Sequence, residues 1–272
     1  MGGYLTPAIA FIQDNGDELE RARLSGLLGR TRPDPKAART LLSRQRDDGG
    51  FPFEMISGRP SAVTATVTAI RWMVDLRLMP SPYVERAVGY FLMTQRPDGS
   101  WDESPSVIKF DPPPQIRPGH PAGRAYCTAT AGFWMTRLMG SRHDAVQRAA
   151  GYLRSARNGD RPAPDFLSTD ALEIATLAMV EGRVAEIVTA GLAALGAVPA
   201  DRWNADALAD ALTGLYGAGF SLDEPFVAWA VRCLLTLQRS EGGWSSARGQ
   251  DHDVDLSLQA LGALLALGVP SA

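Results

Sequence analysis

Cysteine, lysine and long apolar runs are scarce in this chain. Its 272 residues contain only two cysteines, Cys127 and Cys233, which stand far apart and form no CxxC pair. A disulfide scaffold is therefore excluded, and both thiols are expected to be free and buried in a reducing compartment. The longest apolar candidate, residues 256–269, is shorter than the ~18 residues of a membrane span and is interrupted by Gln259. We expect no transmembrane segment, while contact with a membrane surface stays open.

An excess of basic residues is also missing. The formal net charge is −3 at pH 7, and the isoelectric point is about 5.7. Proteins that bind nucleic acids usually show a basic excess or a clustered basic face, so we expect no nucleic-acid partner. The N-terminus has no basic segment followed by an apolar core, so we also expect no secretory signal and a cytoplasmic location.

A repeated segment is the strongest pattern in the sequence. Three segments share the form Q-R-x-[DE]-G-[GS]-[FW], at residues 45–51, 95–101 and 238–244. The first two glutamines are 50 residues apart and the third follows 143 residues later, about three steps of 48. A fixed period of this size indicates repeated supersecondary units. Two degenerate copies are therefore predicted near residues 145–158 and 185–198.

Each repeat contains two helical patterns of different character. The helix before the shared ending is amphipathic, as in residues 84–92, whereas the helix after it is apolar on nearly every face. A helix that is apolar all round is buried all round, which indicates an inner layer of helices surrounded by an outer layer. The inner helices are predicted at residues 61–76, 124–139, 169–180, 205–216 and 255–267.

The number of helix pairs predicts the architecture. Residues 5–29 can form one more pair, split at Asn15-Gly16, which brings the total to six. Strand signals are nearly absent. We predict an all-α fold, a closed (α/α)6 barrel of six helical hairpins with inner and outer layers, in a single domain spanning residues 1–272.

The shared ending itself has a structural interpretation. Its glycine can supply the positive φ of a helix C-terminal cap, and its glutamine can bond neighbouring backbone groups. Its aromatic ring can pack on the end of the adjacent helix. These residues are therefore predicted to hold the repeats together and to take no part in chemistry.

The Q-x3-G-x-W ending resembles the QW motif of squalene–hopene cyclases and related class II terpene cyclases. That superfamily also includes the β subunits of protein prenyltransferases, and its members are built on an α/α barrel. The resemblance covers essentially the whole chain. Class II cyclases usually join two such barrels, whereas this chain has the length for one, so a protein partner that supplies a second domain is one expectation.

The resemblance also implies a catalytic acid. Class II cyclases carry a D-x-D-D motif a similar distance after a QW ending, and Asp253-Val254-Asp255 matches its first three positions, with Leu256 at the fourth. By this resemblance Asp255 is the proton donor, and Asp253 and His252 orient and tune it. The alternative is that these aspartates cap the helix, because aspartate is favoured at an N-cap and in a first helical turn.

A cyclase cavity needs aromatic faces, because π electrons stabilise carbocations. Tyr126 and Trp134 are eight positions apart and fall on one helical face, although an aromatic on a buried helix can also be plain core. Two acidic pairs on inner helices are further candidates, Asp170 with Glu173 and Asp206 with Asp210. The residues predicted to line the substrate site are Trp72, Tyr126, Phe133, Trp134, Asp170 and Tyr216.

No metal and no cofactor are predicted. The resemblance to prenyltransferases would require an Asp-x-Cys pair after a GGF or GGW ending for zinc, and the sequence contains none. Phosphate-binding glycine motifs are also missing. Residues 102–123 contain six prolines and form a long predicted loop, which can act as a lid over the cavity or as a docking segment for a partner.

The sequence therefore predicts a class II terpene-cyclase-like enzyme. It would cyclise an isoprenoid or a prenylated substrate inside an apolar cavity, starting with protonation of an alkene or epoxide. Two alternatives remain open. One is a non-catalytic binding module for a lipid or apolar small molecule, and the other is a different reaction in the same cavity.

Overall fold

The computed structural model describes residues 5–29, 34–158 and 166–270, and helices dominate these ranges. Two short strands, β1 (Phe51–Pro52) and β2 (Ser61–Ala62), pair antiparallel. The prediction of an all-α protein is confirmed. No helix within the described ranges combines the length and apolar character that a membrane span requires. The helices are α1 (Leu5–Asn15), α2 (Glu18–Leu27), α3 (Pro35–Leu42), α4 (Val63–Asp75), α5 (Pro82–Thr94), α6 (Pro121–Met139), α7 (Asp144–Asn158), α8 (Leu167–Glu181), α9 (Glu186–Gly196), α10 (Ala205–Gly217), α11 (Pro225–Thr236) and α12 (Asp253–Ala266).

Odd-numbered and even-numbered helices have different environments. The even-numbered helices contact one another in succession from α2 to α12, and α12 also contacts α2. Each odd-numbered helix packs against one or two even-numbered helices. In α6 every residue from 127 to 136 is buried, whereas in α5 the buried residues recur with helical spacing. The apolar composition of α6 and α8 thus matches burial on nearly all faces, whereas α2 is polar and is buried on one side.

The break between α1 and α2 lies where the sequence predicts it. Gly16 follows the last residue of α1, and a Cβ atom there would lie 2.6 Å from the carbonyl oxygen of Ile12. Asp17 then starts α2 with a capping box: its carboxylate accepts from the Glu20 amide at 2.8 Å, and the Glu20 carboxylate accepts from the Asp17 amide at 2.8 Å. These bonds satisfy amide groups that the first helical turn leaves without partners.

The glutamines of the first two shared endings join consecutive odd-numbered helices. Gln95 donates from Nε2 to the carbonyl of Gly99 at 3.0 Å and to that of Ala145, in the first turn of α7, at 2.8 Å. Gln45 makes the same two bonds, the second to the carbonyl of Tyr83 in α5. The predicted structural role of the glutamine is therefore confirmed at both positions.

The aromatic residue of the ending joins the odd-numbered helix before it to the even-numbered helix after it. The Trp101 amide donates to Thr128 Oγ1 of α6 at 2.9 Å, and its indole Nε1 donates to the Phe91 carbonyl of α5 at 2.8 Å. Trp244 repeats this arrangement between α11 and α12. Both indole rings are fully buried.

The glycine of the ending lies in a turn beyond the helix, which corrects the predicted C-cap role. α5 ends at Thr94, and Gly99 lies five residues later with φ +86°. The positive φ is as predicted, but it serves close packing, since a Cβ atom on Gly242 would lie 2.2 Å from the Pro7 carbonyl oxygen of α1. The third ending therefore connects the C-terminal part of the chain to its first helix.

The proline-rich segment 102–123 is more ordered than the sequence predicts. It contains two short 3-10 helices, Pro105–Phe110 and Pro114–Ile116, and α6 begins inside it at Pro121. A proline at the first position suits a helix because the missing N–H would have no partner there. The ring of Phe110 lies 6.2 Å from that of Phe53, between centroids, so the segment packs on the body of the protein. Its role as a lid stays a prediction.

Replacing Gly99 by alanine should destabilise the protein. The left-handed φ alone costs an alanine about 1–2 kcal/mol, and the added Cβ atom would lie 2.3 Å from the Arg148 carbonyl oxygen. We expect the free energy of unfolding to fall by more than about 2 kcal/mol. Equilibrium denaturant unfolding measures the difference.

Gly89→Ala is the matched control. Gly89 lies inside α5, its φ is not positive, and no atom lies within 4 Å of the added Cβ position. Alanine should therefore raise stability there by about 0.5–1 kcal/mol. Equal effects of the two substitutions would contradict the packing role assigned to the turn glycine.

Candidate active site

Asp255 lies in the first turn of α12 and is bound on both carboxylate oxygens. Oδ1 accepts from Arg23 Nη1 at 2.8 Å and from Trp72 Nε1 at 2.9 Å. Oδ2 accepts from Arg71 Nη2 at 2.7 Å, and Arg248 Nη2 lies 3.5 Å away. These donors come from α2, from α4 and from the turn before α12, so the carboxylate joins three parts of the chain.

Arg23 is the most deeply buried charge in this group. Its side chain has no exposed surface, and its Nε and Nη2 atoms both donate to Asp75 Oδ2, at 3.0 and 2.9 Å. Its guanidinium carbon also lies 4.7 Å from the centre of the Trp72 ring. A buried charge is tolerated only when it is paired and hydrogen-bonded. We call Arg23, Arg71, Asp75, Arg248 and Asp255 the ionic cluster.

The ionic cluster sets the protonation state of Asp255. Burial alone would raise the pKa of Asp255, but the charges of Arg71, Arg23 and Arg248 outweigh burial and hold that pKa far below its ordinary range. The carboxyl group is therefore ionised at any physiological pH. An ionised carboxylate carries no proton to donate, so the geometry favours an anchoring role for Asp255 over the donor role expected from the sequence.

The two neighbours of Asp255 in the acidic segment have different surroundings. Asp253 Oδ1 accepts from the Ser246 amide at 2.8 Å, and its Oδ2 accepts from Arg239 Nη1 at 2.9 Å, so Asp253 holds the turn that precedes α12. His252 is half-buried just before α12. Its pKa is lowered by burial and by the Arg248 charge, which keeps the imidazole neutral at pH 7.

A second group of polar side chains comes from five even-numbered helices. Asp210 of α10 accepts at Oδ1 from Gln259 Nε2 of α12 at 2.7 Å and bonds the Ser168 hydroxyl of α8. Gln259 Oε1 in turn accepts from Arg71 Nη1 of α4. Tyr126 of α6 interacts electrostatically with Asp210. We call Arg71, Tyr126, Ser168, Asp210 and Gln259 the five-helix cluster.

The members of the five-helix cluster are only partly enclosed. All five residues are half-buried by surface area, although they lie on helices that are otherwise buried. Hydrogen bonds join Arg71 to Gln259 and Gln259 to Asp210. Acidic, basic and aromatic side chains of the even-numbered helices therefore share a region that keeps some accessible surface.

Burial controls the protonation of two members of this cluster. Burial raises the pKa of Asp210, and the bonds from Gln259 and Ser168 and the more distant charges of Arg71 and Arg248 oppose it only in part. Burial also raises the pKa of the Tyr126 hydroxyl, and the neighbouring Asp210 adds to the shift. The site therefore favours the neutral acid form of Asp210 far more than that of Asp255.

The remaining residues predicted to line the site lie apart from these two clusters. Phe133 is fully buried and packs edge-on against Trp134, with ring centroids 5.5 Å apart. The guanidinium of Arg137 lies 5.8 and 5.3 Å from the two ring centres, and Tyr216, 43% exposed, interacts with the same charge. Asp170 pairs at 4.0 Å with an arginine of α7. Trp72 and Tyr126 are thus the predicted aromatics that the structure brings to the clusters.

Several residues of these clusters were missed by the sequence-based search. Arg23, Arg71 and Gln259 carry the connections between helices, but no known motif contains them. A signal was present, because Arg71 is the one basic residue in the otherwise uncharged run from residue 60 to 74 of an apolar helix. A lone charge on a helix that is apolar all round requires a buried partner.

Comparison with known proteins finds solved structures with a similar fold. No protein-family model and no curated protein matches the sequence. A protein from Actinoplanes of known crystal structure aligns over 97% of this chain and 98% of its own, with a TM-score of 0.63 and 17% identity. The type II terpene cyclase MstE from Scytonema, in its apo form, aligns over 97% of both chains, with a TM-score of 0.60 and 14% identity. The fold is terpene-cyclase-like.

Replacing Asp255 by asparagine should destabilise the protein severely. The substitution leaves Arg23 and Arg71 buried with an incomplete set of partners, and breaking a buried ion pair costs about 3–5 kcal/mol. The free energy of unfolding measures the loss. Asp251→Asn is the control, because Asp251 is exposed in the turn before α12 and should change stability little. A stable Asp255→Asn protein would contradict the anchoring role.

The stabilisation by Asp255 should also depend on pH. Its folded-state pKa lies below the unfolded value, so the contribution is fully present above the ordinary aspartate pKa of about 3.9 and is lost as pH falls below it. The difference in stability between wild type and Asp255→Asn should therefore narrow in acid. A constant difference across the acidic range would show that Asp255 is not held ionised by its arginines.

Proposed function

We propose that the chain is a single-domain, type II terpene-cyclase-like enzyme. It takes an isoprenoid or a prenylated substrate into the internal space, protonates an alkene or epoxide, and lets the resulting cation close one or more rings. The observation that carries this proposal is the five-helix cluster, which brings a half-buried acid and an aromatic ring together among the even-numbered helices. We infer that these helices enclose the internal space. The likeness of the fold to MstE supports it.

The helix contacts support a closed barrel around that volume. Each even-numbered helix contacts the next, and α12 contacts α2, so we infer that six helical hairpins close on themselves with the five-helix cluster inside. The joint between the third shared ending and α1 supports the same closure. The alignment with MstE over 97% of both chains supports a shared fold for this region.

The roles of the site residues follow from their environments. Tyr126 presents a ring next to the acid, where its π face stabilises a cation formed by protonation. Asp255 holds the guanidinium of Arg71 in place. Asp253 and His252 shape the turn before α12. Preorganised groups in an enclosed site supply most of the rate enhancement in such a reaction.

A binding module is the second candidate, and one observation favours it. A surface cleft of about 400 Å³ lies between α9 and α11, lined in part by Leu192, Phe226 and Trp229. The rings of Phe226 and Trp229 lie 5.4 and 5.7 Å from that of Trp203, so the cleft has an aromatic wall. An apolar small molecule bound here would leave the internal space unused.

The purified protein should convert a member of a defined panel into a cyclised product. The panel contains geranyl, farnesyl and geranylgeranyl diphosphates, their alcohols, squalene, terminal epoxides of these chains and prenylated aromatic acceptors. Gas chromatography coupled to mass spectrometry identifies the products. If the whole panel is recovered unchanged, the cyclase proposal fails and the binding module becomes the better explanation.

A pair of substitutions at Tyr126 tests the cation-stabilising role. Tyr126→Leu removes the π face, and a desolvated cation–π contact of about 2 kcal/mol corresponds to a rate loss of about 10- to 30-fold. Tyr126→Phe keeps the ring and should retain most of the rate. Equal losses in both variants would assign the effect to the hydroxyl and would remove the ring from the mechanism. Rates of cyclised product formation measure both.

A further inference from the structure

Three buried carboxyl groups near the even-numbered helices differ in what binds them. Asp255 faces arginines, as described above. Glu103 accepts at Oε2 from the Val63 amide at 2.8 Å, and at Oε1 from the Thr64 amide at 2.9 Å and its hydroxyl, so both oxygens serve the start of α4. The bonds to Asp210 come instead from the neutral groups of Gln259 and Ser168. Neutral donors favour the ionised form less strongly than arginines do, so burial still raises the pKa of Asp210.

The position of Asp210 is as distinctive as its partners. It lies in the middle of α10 and interacts with groups on α4, α6, α8 and α12. A side chain on one helix can approach four other even-numbered helices only if it points into the space that those helices enclose. Asp210 is half-buried, so it keeps surface that a substrate can reach.

The orientation of the Asp210 carboxyl group is set from the ionic cluster. Arg71 donates to Asp255 and, through Nη1, to Gln259 Oε1. With its oxygen occupied, the Gln259 amide must turn its NH2 group toward Asp210 Oδ1, as observed at 2.7 Å. Oδ1 thereby serves as an acceptor, so the proton of the neutral acid would lie on Oδ2.

We propose that Asp210 is the proton donor that starts the cyclisation, with Gln259 and Arg71 as positioning residues; this inference rests on the proposed function. The Oδ2–H bond breaks and its electron pair stays on the carboxylate. The proton forms a C–H bond with the π pair of an alkene, which leaves a cation on the more substituted carbon, or it binds an epoxide oxygen as the C–O bond opens. Ring closure follows, water takes up a proton at the end, and solvent reprotonates Asp210.

The electrostatic surroundings support this assignment. Arg71 from α4 and Arg248 from the turn before α12 are the cations that face Asp210, and Tyr126 from α6 is the nearby titratable group. Burial outweighs the two cations and raises the pKa of Asp210. The donor form is therefore present below this raised pKa and is lost as pH rises through it, so the rate of cyclisation should fall as pH rises.

Asp210→Asn is the decisive variant. The amide is close to isosteric with the neutral acid and accepts the same bond from Gln259, so the thermal midpoint should stay close to that of the wild type. Loss of a general acid lowers the rate by about 10²- to 10⁴-fold, and we expect a loss of this size in cyclised product. Asp251→Asn, which removes an exposed carboxyl group, should keep wild-type activity.

The outcomes separate this inference from the proposed function. A cyclised product that is formed by the wild type and disappears in a folded Asp210→Asn protein supports both. A product that persists within about tenfold in the variant overturns the Asp210 assignment and leaves the cyclase proposal standing, since a general acid contributes at least about 10²-fold. A wild type that yields no cyclised product from the panel overturns both.

Two measurements keep the test valid if Asp210→Asn does not fold. The first is the pH profile of kcat/KM for the wild type, which should fall with rising pH. A flat or rising profile would overturn the assignment. The second is infrared difference spectroscopy near neutral pH. A protonated carboxyl band that titrates with the same pKa as the rate supports a neutral buried acid, and the lack of any such band overturns it.

Discussion

The charge of Arg23 must be neutralised where water does not reach it, and much of the structure depends on how this is done. Arg23 lies on α2, near the start of the chain, and its two carboxylate partners lie on α4 and on α12, near the end. An unpaired guanidinium in this position would cost several kcal/mol. The pairing therefore fixes how the first and last even-numbered helices meet. The third shared ending reinforces the same junction from outside, where its glycine packs on the backbone of α1.

The same pairing determines which chemistry Asp255 can perform. A carboxylate that neutralises buried arginines cannot also hold a proton, because both demands act on one pKa in opposite directions. Arg71 connects the two clusters, since it binds Asp255 with one nitrogen and orients Gln259 with another. The ionic cluster thus holds charges in fixed positions, whereas in the five-helix cluster burial raises the pKa of Asp210.

The periodic features of this fold are predictable from the sequence, and the contacts across the helices are not. The apolar all-round helices, the break at Gly16 and the joining role of Gln95 follow from local patterns, and the structure confirms them. The turn position of Gly99 differs from its predicted cap because Gly99 lies five residues past the end of α5. Arg23 with Asp255 and Gln259 with Asp210 are 232 and 49 residues apart along the chain. No local pattern specifies such pairs.

The acidic segment shows why a motif match does not transfer a mechanism. The predicted proton donor required clustered carboxylates, because their mutual repulsion keeps one of them protonated. Here the fourth position is Leu256, which is buried and carries no charge. Asp253 and Asp255 are two residues apart on a helix and therefore face different directions, and they bind different partners, Arg239 and the ionic cluster. Three arginines then face Asp255 where acidic neighbours were expected. With three positive charges in place of acidic neighbours, the pKa of Asp255 moves down, which opposes a proton-donor role for this residue.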